Sequence, residues 1–141
     1  MTAQSTAAVR RSTAERIRET ADRLAAERDV REATAHPEHG PQQVPLWFVW
    51  DERRSGCARG AASATVRNVR VGPRVRLSLP DTFDVVLVRG TARCLTDQDA
   101  PEAAADTFAA KFGWDPRTED RPHMCPRIAP KAVRAGVECP G

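Results

Sequence analysis

The residues of this 141-residue chain best placed for chemistry are Ser63, Arg67 and Asn68. Ser63 follows Gly60-Ala61-Ala62 and opens a short helical pattern over 63–70, with Gly72 near its end. A helix amino terminus offers unbonded N–H groups and a positive dipole end, which together hold anions such as phosphate. Arg67 lies one turn further on and adds a full charge. The same residues also suit an ordinary N-cap followed by a surface arginine. An aromatic-rich run, Val44-Pro45-Leu46-Trp47-Phe48-Val49-Trp50, precedes them. A flat apolar wall beside an anion site is what the ring of a phosphate-bearing cofactor requires. Trp47 suits either that wall or a core or dimer-interface aromatic.

Other reactive residue types do not assemble into sites. His36 and His39 flank Pro37 and Glu38, but no third ligand lies nearby, so 36–41 reads as a turn rather than a metal centre. The cysteines Cys57, Cys94, Cys125 and Cys139 form no C-x-x-C pair. They are expected as free thiols, with Cys57 and Cys94 acting as small hydrophobes on strands. No Ser-His-Asp, Cys-His or paired-carboxylate constellation is present, so no catalytic side chain and no metal ligand is assigned. The formal charge of +3 is mild and spread along the chain, which argues against nucleic-acid binding. No apolar run approaches the roughly 20 residues that span a bilayer. Residues 1–11 lack the apolar stretch of a signal peptide, so a cytoplasmic protein is expected.

The elements that must position these residues follow from periodicity. Residues 1–11 read as a disordered tail and 12–141 as a single domain. A helix is expected over 12–28, with Ser12 and Glu15 as a capping box and Ile17, Ala21, Leu24 and Ala25 as its apolar stripe. A first strand over 30–35 is poor for burial because it contains Arg31 and Glu32. The strand over 44–50 is apolar on both faces, which predicts that a partner subunit covers one of them. A weak strand over 55–59 returns from it. Val75, Leu77 and Leu79 alternate with Arg74, Arg76 and Ser78 as a half-buried strand. A long strand runs over 84–95, central at 85–88, with Gly90 marking a bulge. A helix beginning near Asp99 and Glu102 carries Ala104, Phe108 and Phe112 on one face and stops at Gly113. A proline-interrupted strand over 127–137 closes the chain. About six strands without regular strand–helix alternation point to a closed or partly closed sheet, mainly β with peripheral helices.

This order of aromatic strand, Ser-led helix and second strand resembles the pyridoxamine 5'-phosphate oxidase family of flavin-binding split barrels, in particular its deazaflavin-using actinobacterial branch. The resemblance covers about 24–137. In that family a Ser followed by basic residues holds the flavin phosphate. Ser63 matches the Ser, while Ala64 and Thr65 stand where basic residues are usual. Arg67 and Asn68 match an Arg-Asn pair of the deazaflavin-type branch. Gln43 and Phe48 stand where the oxidase proper has basic groups against the ring, which argues against pyridoxamine phosphate oxidation itself. Lys111-Phe112-Gly113-Trp114-Asp115 resembles the family's helix-end motif. Arg127 to Val133 resembles its closing strand, with Gly136 near a position that usually holds Trp. The resemblance implies an FMN-binding split β-barrel that works as a homodimer on a small-molecule substrate. It implies a deazaflavin coenzyme of the F420 type or FMN, held by Gln43, Val44, Pro45, Leu46, Trp47, Ala58, Arg59, Ser63, Thr65, Arg67 and Asn68. On this reading the protein is an oxidoreductase that transfers a hydride between cofactor and substrate, and Thr65→Lys would strengthen the phosphate grip. The alternative is a non-catalytic split-barrel dimer binding a flavin, haem or a protein partner.

Overall fold

A computed structural model describes residues 12–51, 54–57, 59–60, 64–95, 102–115, 118 and 123–137. The expected tail over 1–11, the third helix's cap near Asp99, and Ala58 and Ser63 lie outside these residues. Helix α1 (Thr13–Ala26) opens as its sequence dictates: the Ser12 hydroxyl accepts the Glu15 N–H at 3.2 Å, and the Glu15 carboxylate accepts the Ser12 N–H at 2.8 Å. Only its last turns dock. Leu24 is buried and Arg23 donates to the Asp84 carbonyl at 2.7 Å, whereas Ile17, expected in the apolar stripe, is 66% exposed.

Among the described residues seven strands follow, interrupted by two helices: β1 (Asp29–His36), β2 (Gly40–Asp51), β3 (Arg54–Cys57), β4 (Arg59–Gly60), α2 (Ala64–Val71), β5 (Arg74–Ser78), β6 (Asp84–Leu95), α3 (Glu102–Phe112) and β7 (His123–Val137). The weak returning strand is thus two short pieces, and the last strand begins four residues earlier than periodicity indicates. All pairings are antiparallel. The order β3-β2-β1-β5-β6-β7-β4 would be an open sheet, but β7 also pairs with β3 through Ser55–Ile128 and Gly56–Arg127. That pairing closes a barrel, mainly β with peripheral helices.

Alternation sorts each strand into the barrel or out of it. Val30, Glu32 and Thr34 of β1 are buried while Arg31 is exposed, so the charged first strand does pack, with a carboxylate inside. Leu46 and Phe48 of β2, Val75 and Leu77 of β5, Val86, Val88 and Ala92 of β6, and Ile128 of β7 complete the core. The outer face of β2 is covered in part within the same chain. Val49 is 4% exposed, and Trp47 stacks on Phe112 of α3 at 4.9 Å and 8°. The doubly apolar strand therefore does not by itself require a partner subunit: α3 supplies part of the cover.

Closing six strands around so small a core requires a bend, and Gly90 provides it. The register between β6 and β7 shifts at Arg89/Gly90, where the sequence places a bulge. A Cβ built on Gly90 would lie 2.5 Å from the Ala129 carbonyl oxygen, a backbone atom that cannot step aside. Gly90→Ala is expected to cost about 1–3 kcal/mol through overpacking. Urea unfolding measures this; an unchanged midpoint contradicts the tight approach.

Candidate functional site

Helix α2 plugs one side of the barrel with a polar inner face. Thr65, Val66, Asn68 and Val69 are buried, while Arg67 and Arg70 are exposed. Asn68 is the helix's clasp: its Nδ2 donates to Thr34 Oγ1 at 3.0 Å and to Gln42 Oε1 at 3.2 Å, tying α2 to β1 and β2 together. Asn68 Oδ1 and Thr65 Oγ1 have no hydrogen-bond partner among the described residues. Both Thr65 and Asn68 are 1% exposed, so these two candidate cofactor contacts face the interior. A lysine at 65 would bury an ammonium, and Thr65→Lys is now expected to destabilise the fold rather than to add a usable charge. Arg67 lies on the outer face of α2.

Cys94, expected as a small hydrophobe, packs against the core and directs its thiol at the Val66 carbonyl, 3.9 Å away. Burial pushes this thiol above its ordinary pKa. Arg70 opposes the shift, and the carboxylate of Glu32 adds to it. A thiol held protonated is a weak nucleophile. The His36 Nδ1 accepts the N–H groups of Glu38 and His39 at 3.1 and 3.3 Å, so this histidine serves the turn. Among the described residues no group of His, Cys, Asp or Glu could hold a metal.

On β2 the assigned residues divide by parity. Gln43, Pro45 and Trp47 lie on the outward face, whereas Leu46 is buried and Val44 packs against the core. Trp47 belongs to an aromatic cluster with Phe108, Phe112 and Trp114, yet remains 45% exposed. The helix-end motif builds that cluster. Gly113, at φ +65, ends α3 and turns Trp114 toward Trp47 and Phe108. Lys111 donates to the Glu27 carbonyl and lies 4.7 Å over the Phe48 ring. Its pKa is lowered, first by burial and then by Arg28, with Glu27 opposing. Arg28 stacks over Phe112 at 4.8 Å. The result is a packed aromatic wall. Arg59 lies in β4, opposite Met124. Sequence reasoning missed Thr34 and Gln42 as partners of Asn68. The available signal was their inward parity on β1 and β2.

The profile of the family described as Pyridoxamine 5'-phosphate oxidase matches residues 16–135. No curated protein matches the chain. Solved structures that share the fold include an F420 reductase, 20% identical, with 80% of this chain and 94% of that one covered at a TM-score of 0.64. A FAD-binding protein from Mesorhizobium loti is 20% identical over 86% of this chain and 93% of its own, at 0.66. HutZ, a haem storage protein from Vibrio cholerae, is 14% identical over 86% and 92%, at 0.67.

The clasp gives a direct test of how α2 is held. Asn68→Ala removes both bonds and leaves Thr34 and Gln42 to satisfy themselves in the interior. A loss of about 1–3 kcal/mol is expected, read by thermal unfolding. A variant as stable as the parent would show that apolar packing alone seats the helix.

Proposed function

The chain belongs to the pyridoxamine 5'-phosphate oxidase family, and on that premise we propose that it is an oxidoreductase that passes a hydride between a deazaflavin or flavin cofactor and a small organic substrate. The observation that carries this reading is Trp47. It is an indole backed by Phe112 yet 45% exposed, on the strand to which the resemblance assigns the cofactor. An aromatic that is backed by another ring yet stays accessible is what a planar ring needs for stacking. Gln43 and Pro45 lie on the same outward face, and Arg67 is the charge that α2 offers an anionic group. These residues would supply such a cofactor with a stacking face and a partner for its phosphate. The F420 reductase and FAD-binding protein among the similar folds support the same class.

The bound cofactor would supply hydride transfer, chemistry no protein side chain provides. The chain's own part is binding, orientation and exclusion of water. Trp47 and its aromatic backing fix the plane of the ring. Arg67 and the amino end of α2, where the resemblance puts Ser63, hold the phosphate. Pyridoxamine phosphate oxidation is not the proposed reaction. Phe48 is fully buried and Gln43 is neutral, so the basic groups that reaction uses at these positions are absent. The working unit in this proposal is a cytoplasmic homodimer. Its support is the family resemblance together with the exposed apolar side chains of Trp47, Leu87 and Phe83.

A second reading is a non-catalytic barrel that binds a flavin, haem or protein. It is favoured by one observation: Ala64 and the buried Thr65 bring no charge to the first turn of α2. The two readings separate on spectra, since a bound cofactor reduced by substrate bleaches and a stored ligand does not.

Arg67→Ala is expected to weaken cofactor binding roughly ten- to a hundredfold, the loss of one charge-assisted contact. Titration with FMN and with the deazaflavin measures it, and an unchanged affinity places the phosphate elsewhere. Sedimentation is expected to show a dimer at micromolar concentration; a monomer there removes the dimer from the proposal.

A further inference from the structure

The outer wall of the barrel formed by β1, β5, β6 and β7 concentrates positive charge. Arg31, Arg76, Arg89 and Arg134 line one cleft of about 480 Å3. Arg74 and Lys131 join Arg76 and Arg89 around a second cleft of about 580 Å3. All six cations are exposed, and no acidic residue is among the described residues lining either cleft.

The register explains how the chain gathers them. Arg76 on β5 stands directly opposite Arg89 on β6. Side chains so opposed have Cβ atoms about 4.5–5.5 Å apart, and like charges there destabilise the pair. Arg31 pairs with Ser78, two residues from Arg76. Arg134 pairs with Leu87, two residues from Arg89. The four guanidinium groups therefore form a band across four adjacent strands. Lys131 joins through the bulge: Arg89 pairs with Ala132 and Gly90 with Pro130, so Lys131 is the extra residue. A bulge re-aims the side chain it carries, and here Lys131 lines the second cleft.

Folding does not call for this arrangement, because any polar residue satisfies the outer parity of a strand. Arg31, Arg74, Arg76 and Arg89 make no ion pair among the described residues. Opposed like charges with no described acidic residue lining their cleft are relieved by an anion. Guanidinium groups match phosphate oxygens in forked, bidentate geometry. We propose that this band binds a small oligophosphate, a ligand carrying two or more linked phosphates. The cleft volumes fall in the range of small-molecule sites. No aromatic side chain is among the described residues lining either cleft, and these residues offer no stacking platform of the kind a single-stranded nucleic-acid site uses. The proposal stands independently of the redox reading. It also sets a condition on a dimer joined through this wall: two such faces repel each other unless an anion lies between them.

Calorimetric titration of the full chain with inorganic tripolyphosphate tests this. Saturable binding is expected, weakening as salt rises and lost about a hundredfold in the double variant Arg76→Ala/Arg89→Ala, roughly tenfold per guanidinium. Arg18→Ala, an exposed position on α1, lowers net charge without touching the band and should leave binding unchanged. Both Arg76→Ala and the double variant should keep or raise the unfolding temperature, since each removes a like-charge contact. Equal weakening by Arg18→Ala, binding indifferent to the double variant, or a lower unfolding temperature for Arg76→Ala would overturn the site. So would citrate or a DNA oligonucleotide binding more tightly than tripolyphosphate.

Discussion

Closure of the barrel is the constraint on which the other features depend. Six strands around a core of modest aliphatic side chains must curve sharply, and the backbone of β6 meets that of β7 too closely at Gly90 for any Cβ. Because the bend is there, β7 can run on to pair with β3 and remove an open edge. Because the ring is closed, each strand has one inside and one outside. Everything proposed for function is then a matter of parity: Trp47 and the cationic band are outside, Asn68's partners inside.

The interior carries polar groups as well as aliphatic ones. Glu32, Thr34, Thr65 and Asn68 are all buried. Asn68 turns part of this into structure, since two bonds of ordinary length fix a helix of eight residues across two strands. Such a helix is too short to hold itself in water. Its position, and hence that of Arg67, comes from the clasp and from Val66 and Val69 packing inward. The aromatic wall depends on α3 in a similar way. Gly113 ends that helix, and the residues around it bring Phe112 and Trp114 onto Trp47.

Local features were legible in the sequence because their causes are local. Ser12 and Glu15 cap a helix with their own backbone, Gly113 ends one by its φ, and 84–95 reads as a strand from its apolar run. Gly90 stood out because a glycine inside a strand pattern marks a bulge or a close approach of another backbone. Features that depend on register were not legible. Glu32 looked unfit for a buried strand, yet β1 alternates Val30, Glu32 and Thr34 inward. Trp47 and Val49 called for a partner subunit because nothing in the sequence says that α3 folds back over β2. Thr65 and Asn68 were matched to a surface cofactor by position alone, and the orientation of α2 turns both inward. The arginines at 31, 76, 89 and 134 look scattered along the chain and meet only when four strands are laid in order.

The central claim is that the exposed, aromatic-backed face of β2 holds a planar redox cofactor. Quenching of Trp fluorescence on titration with FMN and with the deazaflavin, compared between the parent and Trp47→Leu, tests it most directly. The account predicts that one of the two cofactors saturates at one per chain, and that Trp47→Leu loses most of the quenching along with much of the affinity. Saturation by neither cofactor, or unchanged affinity in Trp47→Leu, would contradict it.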